Sequence, residues 1–309
     1  MGIHWSIIRN PQACSGKGAK LWPKIETLLK AAGVSYSEME TSRPLHAFEM
    51  ARDLVRTGST HIIAVGGDGT VNEVVNGIFS QSEHNPANIV LTQFPIGTGN
   101  DWRRTVGIPT KLEACVQMLQ DFKEIKQDVG RVTWANKQQE ETRYFANVAG
   151  MGFEALAGQK ANAQKAAGKG GIMGYVSALI ATLRQFDSLE AEIFVDGKPL
   201  PKGEIFSLSV GICKFNGGGM MPCPKAIYDD GLLDLTLIRD LSKAAVVANI
   251  PRLFNGKFVK HPAVFQYQCK TIEVRTGLTN LLETDGEVIG QGSSTFSIIP
   301  KALRVAIPR

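Results

Sequence analysis

Apolar residues follow two rhythms along this chain, and the change between them divides it. Up to residue 130, short apolar runs alternate with segments of helical spacing. His4–Arg9 reads as a strand, after which Leu21, Ile25, Leu28 and Leu29 mark one helix face that stops at Gly33. A short strand Val34–Met39 precedes Thr41-Ser42-Arg43-Pro44 and a helix to Thr57. Ile62-Ile63-Ala64-Val65 reads as a buried strand, and Val71, Val74, Val75 and Ile78 start a helix directly after it. Ile89–Phe94 is a further strand, followed across a loop by a helix Leu112–Phe122. Strand and helix in alternation predict a doubly wound parallel sheet, covered on both faces.

Beyond residue 130 the period shortens to two. Ala191–Val195, Asp196-Gly197-Lys198-Pro199 and Ile205–Val210 read as a hairpin. Leu233–Ile238, Ala263–Gln268, Thr271–Arg275, Ser294–Ile299 and Leu303–Ile307 read as further strands. The fold expected is α/β: a parallel-sheet domain over 1–130, then an antiparallel β-sandwich over 131–309 whose last strand returns to the first domain. One stretch breaks the alternation. Gly158–Gly171 reads as polar, basic and flexible, and Ile172, Tyr175, Val176, Leu179, Leu183 and Phe186 then fall at helical spacing. That helix fits a core role on the sheet, or a wall of a lipid cleft.

Composition narrows the class. The 309 residues are 43% hydrophobic and 20% charged with a net charge of +5, an ordinary water-soluble composition. The charge suits anionic substrates or a membrane surface and is too mild for a dedicated nucleic-acid binder. The five cysteines lack any C-x-x-C spacing and the five histidines are scattered, so neither a disulfide framework nor a histidine metal site is expected. No signal peptide is expected from His4–Ile8, and Gly2–Ser6 fits myristoylation only formally. The apolar stretch Ile172–Leu183 falls short of the ~20 residues that span a bilayer.

Three loops carry candidate chemistry, each between a strand and a helix: Asn10–Gly18, Gly66–Thr70 and Pro95–Asp101. Right-handed crossovers bring such loops to one sheet edge, where ligands of open α/β folds bind. Gly66, Gly67, Gly69 and Gly97 allow close approach to a phosphate, and Ser15, Thr70, Thr98 and Lys17 offer hydroxyls and charge. Asp68 sharpens the reading. A carboxylate among phosphate-binding groups needs a divalent cation or a transferable proton, which points to phosphoryl transfer from a metal–nucleotide complex. Asp101 is a second candidate for metal water. Thr70-Val71-Asn72-Glu73 also reads as a capping box, with Glu73 reaching back to the Thr70 amide. A P-loop, a complete G-x-G-x-x-G after the first strand and the protein-kinase signatures are all missing.

Gly66-Gly67-Asp68-Gly69-Thr70-Val71-Asn72-Glu73-Val74 followed by Pro95-Ile96-Gly97-Thr98-Gly99-Asn100-Asp101 resembles the diacylglycerol kinase catalytic family, which includes bacterial soluble lipid kinases and sphingosine kinases. The likeness continues through Asn147–Phe153, Gly217-Gly218-Gly219, Asp229–Asp234 and Asp285-Gly286-Glu287. The sequence departs from it at Trp102 and Arg103, where relatives carry Phe and a small residue. NAD kinases and phosphofructokinases share the Gly-Gly-Asp-Gly core, and the second motif favours the lipid branch.

The resemblance implies ATP contacts from Asn10, Ser15, Thr41, Gly66, Gly67, Asp68, Gly69, Thr70, Asn72, Glu73, Gly97 and Thr98. It implies a general base in Asp285 or Glu287, with Asp68 in the catalytic set. It also implies a structural Mg²⁺ held by the Asp230 side chain and the carbonyls of Ile227 and Leu232, and a family aspartate at Asp128. The expected activity is ATP- and Mg²⁺-dependent phosphorylation of a lipid hydroxyl, diacylglycerol or a related glycerolipid, by a cytoplasmic protein peripheral to the membrane. Basic residues Lys160, Lys165 and Lys169 are expected at that surface. Alternatives are a soluble-substrate kinase of the NAD kinase type and a catalytically silent nucleotide-binding regulator. The expected partners are nucleotide and membrane lipid, not nucleic acid; a dimer is compatible with the sequence.

Overall fold

The computed structural model describes residues 2–136, 139–166, 172–186 and 188–309, with the side chains of 136, 165, 166 and 172–176 outside that description. The chain forms two units, one of Met1–Gln127 with Lys301–Arg309 and one of Asp128–Pro300.

The first unit alternates strand and helix. Its elements are β1 (His4–Arg9), α1 (Ala13–Ala31), β2 (Ser35–Glu40), α2 (His46–Arg56), β3 (His61–Gly66), α3 (Asp68–Phe79), β4 (Val90–Pro95), α4 (Asp101–Val106) and α5 (Leu112–Gln120). The sheet runs β2-β1-β3-β4, all parallel, and Arg304 and Val305 near the chain's end add a parallel partner to β4. Ile62, Ile63, Ala64 and Val65 are all buried, as a continuous apolar run demands of a strand covered on both faces. α3 lies close against α2 through Gly77, where a Cβ would sit 2.3 Å from the Phe48 carbonyl oxygen. Because β1 has β2 on one side and β3 on the other, the chain changes direction between β1 and β3. The loops leaving those strands therefore diverge and open a crevice at the sheet's carboxyl edge.

The second unit is antiparallel. It comprises β5 (Phe122–Asn136, from Asp128 on), β6 (Gln139–Phe145), β7 (Val148–Gly152), α6 (Phe153–Ala166), α7 (Ile172–Gln185), β8 (Leu189–Val195), β9 (Lys198–Pro199) and β10 (Glu204–Gly211). After these come β11 (Leu233–Arg239), α8 (Lys243–Leu253), β12 (Val264–Cys269), β13 (Thr271–Thr276), β14 (Leu281–Thr284), β15 (Glu287–Gln291) and β16 (Ser294–Pro308), which enters the first unit at Lys301. One run of pairings is β15-β14-β7-β10-β11-β12; the other is β10-β8-β13-β16-β5-β6. Phe153, Ala157, Leu179, Leu183, Phe206 and Met220 make a core between helices and sheet. Phe153 stacks on Phe206 with ring centres 4.6 Å apart, and Phe186 meets both rings edge-on.

The fold class matches the expectation from the sequence, with local corrections. The flexible segment expected after Gly158 is helix α6 up to Ala166, and residues 167–171 lie outside the described ones. α4, just past the third loop, and α8, between two expected strands, are helices in stretches for which no element was expected. The hairpin expected over 191–210 is instead β8 with the two-residue β9; β10 meets β8 only through Glu204 and Ile205. The two last strands are one, β16, with Lys301 in the left-handed region at the join. The capping box fails. α3 starts at Asp68, so its N-cap is Gly67, and Glu73 accepts from the amides of Leu45 and Ala47 at the start of α2.

Candidate functional site

The three glycine-bearing loops of the first unit meet. Asn10 sits at the end of β1, where its amide donates to Val65 O at 2.9 Å and its Nδ2 donates to Thr70 Oγ1 at 3.2 Å. Cys14, Ser15 and Gly16 are all left-handed (φ 51°, 56° and 85°), and Cys14 Sγ lies 3.8 Å from Thr98 Oγ1 in the third loop. The second and third loops touch through glycines: a Cβ on Gly97 would fall 2.6 Å from Gly67 Cα. Such an approach admits no side chain at Gly97.

This edge suits an anion. The N-cap of α3, Gly67, has no side chain to cap the first-turn amides, and the positive helix end adds to them. Asn100, at φ 49°, donates from Nδ2 to Gly97 O, and its buried Oδ1 has no partner among the described residues. Ser15, Thr70 and Thr98 line the same loops. Thr41 is buried just past β2, with its amide on Arg9 O at 2.9 Å. Asn72 is buried and accepts from Asn76 Nδ2.

Asp68 occupies a specific position. Its Oδ1 accepts from the amides of Asp101 (2.8 Å) and Trp102 (3.2 Å), so it caps the short helix α4. Burial raises its pKa, and those amides oppose the rise. Asp101 is also buried and pairs with Arg104 at 3.3 Å.

In the second unit, Asp285 and Gly286 form the tight turn between β14 and β15, both at positive φ (51° and 87°). Asp285 is 7% exposed; its carboxylate accepts from the amides of Asn147 (3.0 Å), Val148 (3.1 Å) and Ala146 (3.3 Å). It therefore clamps the start of β7. Glu287 is exposed, and Asn162 of α6 reaches both it (3.4 Å) and Gly286 O (2.7 Å). Glu283, on the other arm, is buried and accepts from the Gly286 amide at 2.7 Å. Burial first, then the neighbouring Glu154 charge, pushes its carboxyl well above the carboxylate range.

Glu154 is a functional candidate that the sequence reading missed. It opens α6 and borders a cavity of about 90 Å³ walled by Phe153, Leu179, Phe206, Met220, Val246 and Leu253. Its carboxyl meets the Ser209 hydroxyl and accepts from Asn216 Nδ2 at 2.9 Å, and burial pushes it up to about 7. Only an acidic residue among apolar neighbours signalled it.

The 227–232 turn is pinned by Asp128, a buried carboxylate that accepts from the Gly231 amide at 2.7 Å while its own amide donates to Tyr228 O. Asp230 Oδ1 accepts from the Leu232 amide, and Ile227 is exposed. The described residues contain no cluster of three His, Cys, Asp or Glu side chains suited to a metal. An ion here would rest on one carboxylate, carbonyls and water, a donor set that a hard cation accepts. Lys160 donates to Gln185 Oε1; Lys169 and the Lys165 side chain lie outside the described residues.

Comparison with known proteins agrees with this architecture. Residues 4–132 match the diacylglycerol kinase catalytic domain, and residues 147–307 match the YegS C-terminal NAD kinase beta sandwich-like domain. A diacylglycerol kinase of Mycobacterium tuberculosis is 28% identical over 305 residues, covering 98% of this chain and 95% of that protein. A diacylglycerol kinase of Staphylococcus carnosus is 26% identical, covering 98% and 94%. The fold is shared with the crystal structure of a diacylglycerol kinase from Bacillus anthracis str. Sterne, at 21% identity and a TM-score of 0.71, covering 98% of this chain and 96% of that one. With its paired glycine loops, its antiparallel second unit and both domain matches in order, the chain belongs to the diacylglycerol kinase catalytic family.

Proposed function

We propose that this kinase transfers the γ-phosphoryl group of ATP, with Mg²⁺, to a hydroxyl of a membrane lipid, a diacylglycerol or a related glycerolipid. The cavity of the second unit carries the choice of a lipid acceptor. Its walls are mostly apolar, with a few convergent polar groups at Glu154, Ser209 and Asn216. A soluble-substrate kinase needs a polar acceptor pocket instead.

In this reading the α3 N-terminus, Ser15, Thr70 and Thr98 hold phosphate oxygens, while Gly66, Gly67, Gly69 and Gly97 give clearance. Asn10 and Thr41 complete the nucleotide's surroundings. Asn72 and Glu73 act beneath them, Glu73 by fixing the start of α2. Mg²⁺, when bound, would neutralise charge on the transferring phosphoryl group. Asp68 would reach it through water while keeping its hold on α4. Asp230, with the carbonyls of Ile227 and Leu232, would hold a structural Mg²⁺. Glu287 takes the proton of the acceptor hydroxyl, because it is exposed. Asp285, engaged by three backbone amides, positions the turn that carries Glu287. The protein otherwise contributes positioning and charge neutralisation.

Incubation with labelled ATP, Mg²⁺ and a total lipid extract, followed by mass spectrometry of the labelled product, tests the proposal. A phosphorylated lipid is expected. Nucleotide binding without transfer would favour a silent regulator, and label only in water-soluble products would favour a soluble acceptor.

A further inference from the structure

Helix α8 has two differently employed faces. Val246, Asn249 and Leu253 line the cavity, whereas Val247 and the C-cap residue Phe254, seven residues and about two turns apart, stand 48% and 37% exposed. A soluble helix normally turns such residues inward. Charge accompanies them. Between Asp240 and Glu273 the chain carries Lys243, Arg252, Lys257, Lys260 and Lys270 and no acidic residue. Lys243, Arg252, Lys257 and Lys260 are exposed, and among the described residues none of the four is in an ion pair. Phe265 on β12, which follows this turn in the chain, is 39% exposed as well.

We propose that α8 and the Lys257–Lys260 turn form a membrane-docking face whose partner is an anionic lipid bilayer, with Val247 and Phe254 entering the interface and the lysines meeting phosphate headgroups. Exposed apolar groups beside exposed cations are what an interfacial helix needs. The same helix walls the cavity, so docking would bring that wall to the lipid. This consequence rests on the lipid-acceptor reading; the docking itself does not.

The test is co-sedimentation of the full chain with vesicles of phosphatidylcholine alone or mixed with phosphatidylglycerol. The wild type is expected to bind the mixed vesicles, less as salt rises. Lys257→Gln and Lys260→Gln should each weaken binding about fivefold, the equivalent of ~1 kcal/mol per basic residue at an anionic surface. Val247→Asp with Phe254→Asp should abolish binding while thermal midpoint and nucleotide affinity stay at wild-type values. Leu278→Asp, at a 77% exposed residue outside this face, should bind as wild type. Undiminished binding in the Val247→Asp, Phe254→Asp variant, or an equal loss in Leu278→Asp, overturns the proposal. Phosphorylation of a dispersed short-chain lipid, measured in parallel, separates the two readings. If it proceeds while vesicle binding ignores α8, only docking falls. If it is absent while vesicle binding depends on α8, only the kinase reading falls.

Discussion

At the scale of single residues, clearance and burial account for the site. Gly97 faces Gly67 so closely that Gly97→Ala would put its Cβ 2.4 Å from Asn100 Oδ1 and 2.6 Å from Gly67 Cα. We expect a loss of about 1–3 kcal/mol, the range for overpacking, together with weakened ATP binding as the loops part. Thermal melting and calorimetry report both, and a variant equal to wild type in both would refute the close approach. Glu154 gives a pH signature. Its folded value near 7 lies above the ordinary 4.5, so the unfolded chain loses this proton first. Between those values only the folded state keeps the proton, and stability falls as pH rises. The contribution is whole below about pH 4.5 and gone above about pH 7. Glu154→Gln removes the titration. Denaturant unfolding from about pH 5 to about pH 8 should show wild type losing up to ~3 kcal/mol relative to the variant. Parallel curves would mean the carboxyl is not held protonated.

Among elements, the β14–β15 hairpin carries the sharpest test of the proposed roles, a structural one for Asp285 and a chemical one for Glu287. Asp285→Ala leaves the buried amides of Ala146, Asn147 and Val148 without their acceptor, at a cost of at least ~1–3 kcal/mol. Glu287→Gln should leave stability unchanged and lower kcat by roughly 10²–10⁴, the usual share of general-base catalysis. Full turnover in a folded Glu287→Gln variant would move the proton acceptor elsewhere. What the sequence could show followed from locality. β3 and α3 were legible because a buried β-branched run stops at glycines and a helical stripe follows at once. α6 was not, since its innermost positions include Ala155 and Ala157, too small to draw an apolar stripe among lysines and glutamines. α4 depends on Asp68, 33 residues earlier, as its cap, and Asp285 on amides 137 to 139 residues away. No local pattern records such bonds, so motif order located these residues without revealing their structural work.

For the molecule as a whole, the proposed reading divides the labour between two units: a parallel sheet that offers helix amides and glycine turns to phosphates, and an antiparallel unit whose mostly apolar cavity is bordered by Glu154, Ser209 and Asn216. The two sequence rhythms made that division of fold legible, whereas the cavity is assembled from α6, α7, α8 and several strands and left no contiguous signal. The central claim is that the acceptor is a lipid held by its apolar part. Its most direct test is kcat/KM for acceptors that share one glycerol headgroup and differ in acyl length. The account predicts a rise of about fourfold per added CH₂, from ~0.8 kcal/mol of burial each, until the cavity is filled. Free glycerol phosphorylated as efficiently as its long-chain esters, with no dependence on length, would contradict it.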